Sequence, residues 1–336
     1  MTLATPIRIG SRDAPSRVMF GPHETNLGDG RRLSDRHVAY YARRARGGVG
    51  VIIVETASVE PSDWPYERAP LAADCRPGWA AIARACAPEG TLVLAGLGHT
   101  GLEGSSAYSQ QVLWGPSRIA DVVTREPPAE MEQQQIDTVV SGFAAGARGA
   151  LEAGLAGVEV DAGPRSLLRQ FLSGLTNLRG DDYGSDRARL AREVLHAVRT
   201  AMGPDAVLGL RLSCDELAPW AGITPEQASD LVEEFLPFVD VLTVVRGGPF
   251  SAGAYRPDGH TPPGFNQELC RLIRQTATGR ALVVLQGSVV SVAEAQAALD
   301  GEVADLVEMT RAGIADPDLV RHVRDETPER IRPCIL

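Results

Sequence analysis

Val207-Leu208-Gly209-Leu210-Arg211-Leu212, then the helical stretch Pro225–Leu236, then Val239-Asp240-Val241-Leu242-Thr243-Val244, is the part of the chain whose reading decides the fold. Each apolar run has the length of a buried strand, and Thr224-Pro225 supplies an N-cap and a first-turn proline for the helix between them. Two buried strands joined by a helix make a βαβ unit, which requires a parallel sheet covered by helices. Working outward, the alternation recurs: strand-like runs Arg17–Phe20, Val51–Val54, Thr91–Ala95 and Gly157–Val160 precede the unit, and Ala281–Leu285 and Asp305–Met309 follow it. Helical patterns lie at Ser34–Arg46, Pro77–Ala87, Met131–Ala153, Asp186–Met202, Gln267–Thr276, Val292–Leu299 and Asp316–Arg324. The pattern predicts an α/β fold, a (β/α)8 TIM barrel, with its functional groups at the C-terminal ends of the strands. A doubly wound open sheet is the alternative, but no Gly-x-Gly-x-x-Gly opens a helix after an early strand.

The 336 residues carry a formal charge of −10 with both signs interspersed, which disfavours a nucleic-acid or anionic-membrane surface. The chain contains no lysine, so all 33 cations are arginines and lysine Schiff-base chemistry is excluded. Cys75, Cys86, Cys214, Cys270 and Cys334 are scattered without a Cys-x-x-Cys, as suits a reducing compartment. The first residues hold no apolar leader core, and the expectation is a cytoplasmic protein without a membrane anchor.

In a barrel, the residues just after each strand share one mouth. They are Gly21-Pro22-His23-Glu24-Thr25, Glu55-Thr56-Ala57, Gly96-Leu97-Gly98-His99, Asp161 through Ser166, Gln286-Gly287-Ser288 and Thr310-Arg311-Ala312. Three connections, Gly96–Ala129, Asp161–Ser185 and Val245–Phe265, are long enough to wall or cover a pocket. The last two turns stand where this fold usually cradles phosphate: Gly287 lets backbone N–H groups approach an anion and Arg311 can fork onto its oxygens. A plain turn with a surface arginine is the simpler alternative. Arg211 interrupts an apolar strand, and a buried guanidinium calls for an anionic partner. One ligand would satisfy both ends: flavin mononucleotide (FMN), with a phosphate at one end and negative charge near N1 and C2=O when reduced. A phosphosugar would use the cradle but leave Arg211 unexplained.

Arg17-Val-Met-Phe-Gly-Pro-His-Glu-Thr, Gly154-Leu-Ala-Gly-Val-Glu-Val, Leu168-x-Gln170-Phe171-Leu172-Ser173, Thr176-Asn177-x-Arg179-x-Asp181-x-Tyr183-Gly184, Gly209-Leu-Arg-Leu-Ser and Met309-Thr-Arg-Ala-x-Ile-Ala-Asp-Pro-Asp318 together resemble the old yellow enzyme family. Met-Thr-Arg-Ala and Arg332-Pro333-Cys334 look most like the barrel domain of bacterial 2,4-dienoyl-CoA reductases, and like old-yellow-enzyme-type oxidoreductases associated with mycofactocin. The resemblance implies an FMN-binding barrel over residues 1–330 with a tail at 331–336. Pro22 and His23 would touch the flavin through backbone groups, Thr56 and Ala57 would lie near its ring, and Arg211 would face N1 and O2. Gly287, Ser288, Thr310 and Arg311 would hold the phosphate. The implied reaction moves hydride between flavin N5 and a small unsaturated or alicyclic substrate, with NADH or NADPH as electron donor.

The active-site stretch departs from the family pattern. Where a pair of donors and a tyrosine are usual, this chain has Asp161, Pro164 and Ser166; Gly96 replaces a glutamine, and Glu24 replaces a small or thiol side chain. Asp161 and Glu24 could form an acidic pocket, either for a cationic substrate such as an amine or with one carboxyl raised in pKa as a proton donor. His99 aligns with a family histidine and joins them as a catalytic candidate, the alternative being a purely structural histidine. His260 would reach the site only as part of a lid, and His37, His196 and His322 fall on predicted helices and are expected to face solvent. No metal-ligand spacing appears, and the single Cys334 cannot hold the iron–sulfur cluster that longer relatives carry after the barrel. The chain reads as a short paralogue or the first part of a larger polypeptide, with a small-molecule substrate and a homo-oligomer as compatible partners. Dehydrogenation of an amine, a degenerate flavin-binding scaffold and a colourless phosphosugar lyase are the rival readings.

Overall fold

The computed structural model describes residues 2–335; Met1 and Leu336, the outer ends of the expected barrel domain and tail, lie outside them. Eight parallel strands close into a barrel: β1 (Val18–Phe20), β2 (Val51–Ser58), β3 (Leu92–Gly98), β4 (Gly157–Ala162), β5 (Val207–Asp215), β6 (Val241–Arg246), β7 (Leu282–Leu285) and β8 (Leu306–Glu308). Each pairs with the next in chain order, and β8 closes on β1 through Val307↔Val18 and Glu308↔Met19. The barrel helices are α1 (Asp35–Arg46), α2 (Arg76–Cys86), α3 (Gln133–Glu152), α4 (Arg189–Met202), α5 (Pro225–Phe235), α6 (Gln267–Ala277), α7 (Val292–Asp300) and α8 (Leu319–Arg324). The expected fold is therefore the observed one. α4 shows why periodicity found them: it buries Leu190, Ala191, Val194, Leu195, Val198 and Met202, the inward stripe of an amphipathic helix. No helix among the described residues is long and apolar enough to cross a membrane.

Strand ends were less legible than strands. β2, β3 and β4 run two to four residues past their apolar runs, so Glu55, Thr56 and Asp161 sit inside strands rather than after them. β2 is irregular against β3 between Val54 and Ala57, where Gly96 is required: a Cβ there would lie 2.7 Å from the Val54 carbonyl oxygen. The glutamine expected at that position has no room in this backbone.

The antiparallel hairpin Ile7–Ile9 with Arg12–Ala14 was not anticipated from the sequence. It caps the N-terminal end of the barrel, where Ile7, Ile9 and Ala14 pack with Met19, Val51, Ile53, Leu94, Val207 and Val241 in a cluster separate from the main core. Ser11 Oγ anchors the turn on the Asp205 carbonyl at 2.7 Å. Ile9 is 1% exposed, so Ile9→Ala should leave a cavity and cost about 2–5 kcal/mol, read as a lower urea midpoint with an unchanged slope.

Candidate active site

The C-terminal ends of the strands surround one cavity of about 630 Å³. Pro22, His23, Glu24, Thr56, His99, Asp161, Arg211, Gly287, Ser288, Thr310 and Arg311 all line it. Ala57 does not: it is wholly buried in the main core, while its strand neighbours Thr56 and Ser58 take the cavity side, as the two-residue period of a strand dictates.

Arg211 forms the floor, and the chain supplies its anionic partners. Its Nε donates to Glu159 Oε1 at 2.9 Å and its Nη2 to Glu308 Oε2 at 2.6 Å. Thr243 Oγ1 donates to the other oxygen of Glu159 at 3.0 Å, and Thr310 Oγ1 to that of Glu308 at 3.2 Å. The sequence reading, which sought a ligand anion to explain the buried cation, is corrected on this point. Burial raises the Glu159 pKa, and the nearby Arg211 charge pulls it back.

Asp161 pairs in register with Arg211 on the neighbouring strand, and its Oδ1 accepts the Gly163 N–H at 2.8 Å. Burial pushes its pKa above the ordinary aspartate value, against that hydrogen bond and the charges of Arg211 and Arg165. His99 is 4% exposed and stacks on Trp114 with ring centroids 5.9 Å apart. Its Nδ1 accepts the Gly101 N–H at 2.9 Å, which places the ring proton on Nε2, a buried atom without a hydrogen-bond partner among the described residues that lies 3.9 Å from Glu60 Oε2. Glu24 is corrected: it lies half-exposed at the rim and accepts from Arg165 Nη1 at 2.8 Å, so it adds no unpaired charge to an acidic pocket.

His23 donates from Nδ1 to the Gly21 carbonyl at 3.0 Å and meets the Tyr40 hydroxyl with Nε2 at 2.8 Å; burial lowers its pKa, so it stands as a neutral ring. His37 overturns the expectation that it faces solvent. It is fully buried, accepts the Ser34 N–H on Nδ1 at 3.1 Å and donates from Nε2 to Glu55 Oε2 at 2.9 Å. Burial opposes ionisation of Glu55, but hydrogen bonds from His37, Thr25 and Tyr66 more than offset this, and its pKa falls below the usual range. His322 is likewise partly buried, near Asp316, whereas His196 is exposed as expected. His260 is 97% exposed beside Asp258 and does not reach the cavity.

At the opposite end, Arg311 Nη2 donates to the Pro257 carbonyl at 2.7 Å and to Ser288 Oγ. The backbone N–H groups of Gly287, Ser288 and Val289 have no acceptor among the described residues. Gln286 Oε1 is buried without a partner. Sequence reasoning missed Tyr66 and Arg256 on the cavity wall, because nothing in their local pattern distinguishes them from loop residues.

A second arginine holds the mouth in shape. Arg169, on the short helix Leu167–Leu172 after β4, is completely buried and pairs with Glu216 at 2.9 Å and with Glu103. It thereby joins the loops that follow β3, β4 and β5. Gln170 adds two bonds, to the Thr100 carbonyl at 2.8 Å and from the Leu102 N–H at 3.1 Å. The long connection after β3 is thus a wall fastened from beneath.

A closed parallel barrel with an arginine-bearing turn after β8, free N–H groups after β7 and titratable groups around one mouth is the frame of a barrel enzyme built for an anionic ligand. The profile of the NADH:flavin oxidoreductase / NADH oxidase family matches residues 2–330, and the chain belongs to that family, the old yellow enzymes and their FMN-dependent relatives. A protein of Desulforamulus reducens named metal reductase is 31% identical over 99% of this chain and 50% of its own length. An N,N-dimethylglycine/sarcosine dehydrogenase of Chromohalobacter salexigens is 30% identical over 99% of this chain and 50% of its own length. The structure of a 2-naphthoyl-CoA reductase superposes with a TM-score of 0.93 at 26% identity, covering 99% of this chain and 53% of that one. The chain thus spans about half the length of these relatives.

Replacing Arg169 with Met strands two carboxylates, and the expected loss is about 3–5 kcal/mol. Burial already holds the Glu103 carboxyl above the usual range against the pull of Arg169, so without the arginine it takes up a proton more readily and the loss should shrink as pH falls; denaturant unfolding at neutral and acid pH measures both.

Proposed function

We propose that the chain binds FMN in this cavity and acts as an NAD(P)H-linked reductase of an activated carbon–carbon double bond. The donor set fits FMN: Arg311 with the N–H groups of Gly287 and Ser288 suits the phosphate, Arg211 suits the electron-rich edge of the ring, and the unpartnered Gln286 Oε1 can accept a ring N–H. When bound, FMN supplies two-electron chemistry as hydride at N5.

The observation that carries the choice of reaction is Asp161, a half-buried carboxyl on the cavity wall whose pKa is raised by desolvation. A carboxyl shifted in that direction is better suited to deliver a proton than an ordinary aspartate, and hydride addition to a double bond needs one. His99 Nε2–H offers a donor for a substrate oxygen, taking part of the work of the donor pair that Pro164 interrupts.

Oxidation of an amine is the second reading, favoured if Asp161 is ionised and anchors an ammonium group. The relatives named N,N-dimethylglycine/sarcosine dehydrogenase and histamine dehydrogenase support considering it. The two readings differ in pH dependence. With Asp161 as proton donor, turnover falls as pH rises through its raised pKa; with Asp161 as cation anchor, turnover rises over the same interval. Asp161→Asn removes that limb in either case, and in the reductase it lowers kcat about 10²- to 10⁴-fold. Steady-state pH profiles with enones and with secondary amines, followed by flavin absorbance under anaerobic conditions, decide between them.

Arg311→Ala should weaken FMN binding about 10- to 100-fold, the worth of a charge-assisted contact of about 1.5–3 kcal/mol. Fluorescence titration of apoprotein with FMN reads it, and unchanged affinity would remove Arg311 from the phosphate site.

A further inference from the structure

The two carboxylates bonded to Arg211 are not equivalent. Glu159 is sealed in the barrel interior, whereas Glu308 lines the cavity beside the cation. The seat of Glu308 is built into the backbone: at Gly21 a Cβ would lie 2.3 Å from the Glu308 Cδ, so only glycine leaves room for the carboxylate. Gly21 also contributes its N–H to Thr310 Oγ1 at 2.9 Å, and that hydroxyl in turn donates to Glu308. With Asp161 one strand away, the guanidinium is surrounded by carboxyl groups from β4 and β8.

We infer that Glu308 withholds the positive charge of Arg211 from the bound flavin and so holds the cofactor's reduction potential down. The inference rests on the flavin reading of the cavity and deepens it. Reduction places electron density on the ring, which a free arginine beside it would stabilise. An arginine already bonded to two carboxyl groups presents no net positive charge to a ligand beside it, and burial leaves little water to relax the difference. A cofactor poised this way gives up its electron pair readily. The matching substrate is a double bond less activated than a simple enone, and the same poise disfavours amine oxidation. The electrons balance without a further reagent: two electrons and a proton pass from NAD(P)H to the cofactor and on to one carbon, and a proton from an acidic group completes the other.

The test is the midpoint potential of the FMN-loaded protein, measured anaerobically against indicator dyes for the parent, Glu308→Gln and Glu159→Gln. Each variant leaves the guanidinium one carboxylate, so the buried cation stays paired. Both should shift the balance toward reduced cofactor by at least tenfold, about 30 mV in the positive direction for a two-electron couple. A residue that only props the wall would lower stability and leave the potential in place. An unchanged or more negative potential with flavin still bound overturns the inference. If Glu308→Gln does not fold, Glu308→Asp decides, since the shorter side chain draws the carboxylate away from the same guanidinium, and an unchanged potential there overturns the inference equally. A parent protein that takes up no FMN defeats the flavin reading instead, which separates the two failures.

Discussion

The paired charges inside the barrel, Arg211 with Glu159 and Glu308, are the constraint on which the site depends. They connect β4, β5 and β8 across the interior and set the floor of the cavity. Taking three charged groups out of water is expensive, and well-packed apolar residues would often be at least as stable. Their retention is therefore better understood through what the cavity requires than through stability. A guanidinium at this depth can be held only by carboxylates, and those carboxylates then decide how much of its charge any ligand feels.

The mouth is shaped by a second buried cation rather than by packing alone. Arg169 draws together loops that are remote in sequence, and it does so beneath the surface where water cannot compete. The motif residues around it, Gln170, Ser173 and Asn177, bond mainly to backbone groups and to Glu216, so their work is to fix loop positions. This division separates the chain's structural polar residues from Asp161 and His99, which line the cavity.

Within its family, the chain presents a site in which the expected donor pair has given way to a carboxyl and a proline. The relatives named as reductases and as amine dehydrogenases share this frame, and the barrel does not distinguish them. On the reading proposed here, the distinction rests on the charge state of Asp161 and on the field around Arg211, both properties of a few ångströms of local environment.

The order of strands and helices, the closure of the barrel and most of the residues at its mouth were written in the sequence by itself, because apolar periodicity and the placement of polar residues after strands are local properties. Pairing was not. That Arg211 meets Glu159 and Glu308, that His37 is buried against Glu55, that Glu24 is spent on Arg165 and that Ala57 turns into the core all depend on which distant residues the closed barrel brings within hydrogen-bonding distance. Only the tertiary structure could decide them, since the cost of burying a charge or a polar atom is set by the partner that arrives through space, and a linear pattern carries no record of that partner.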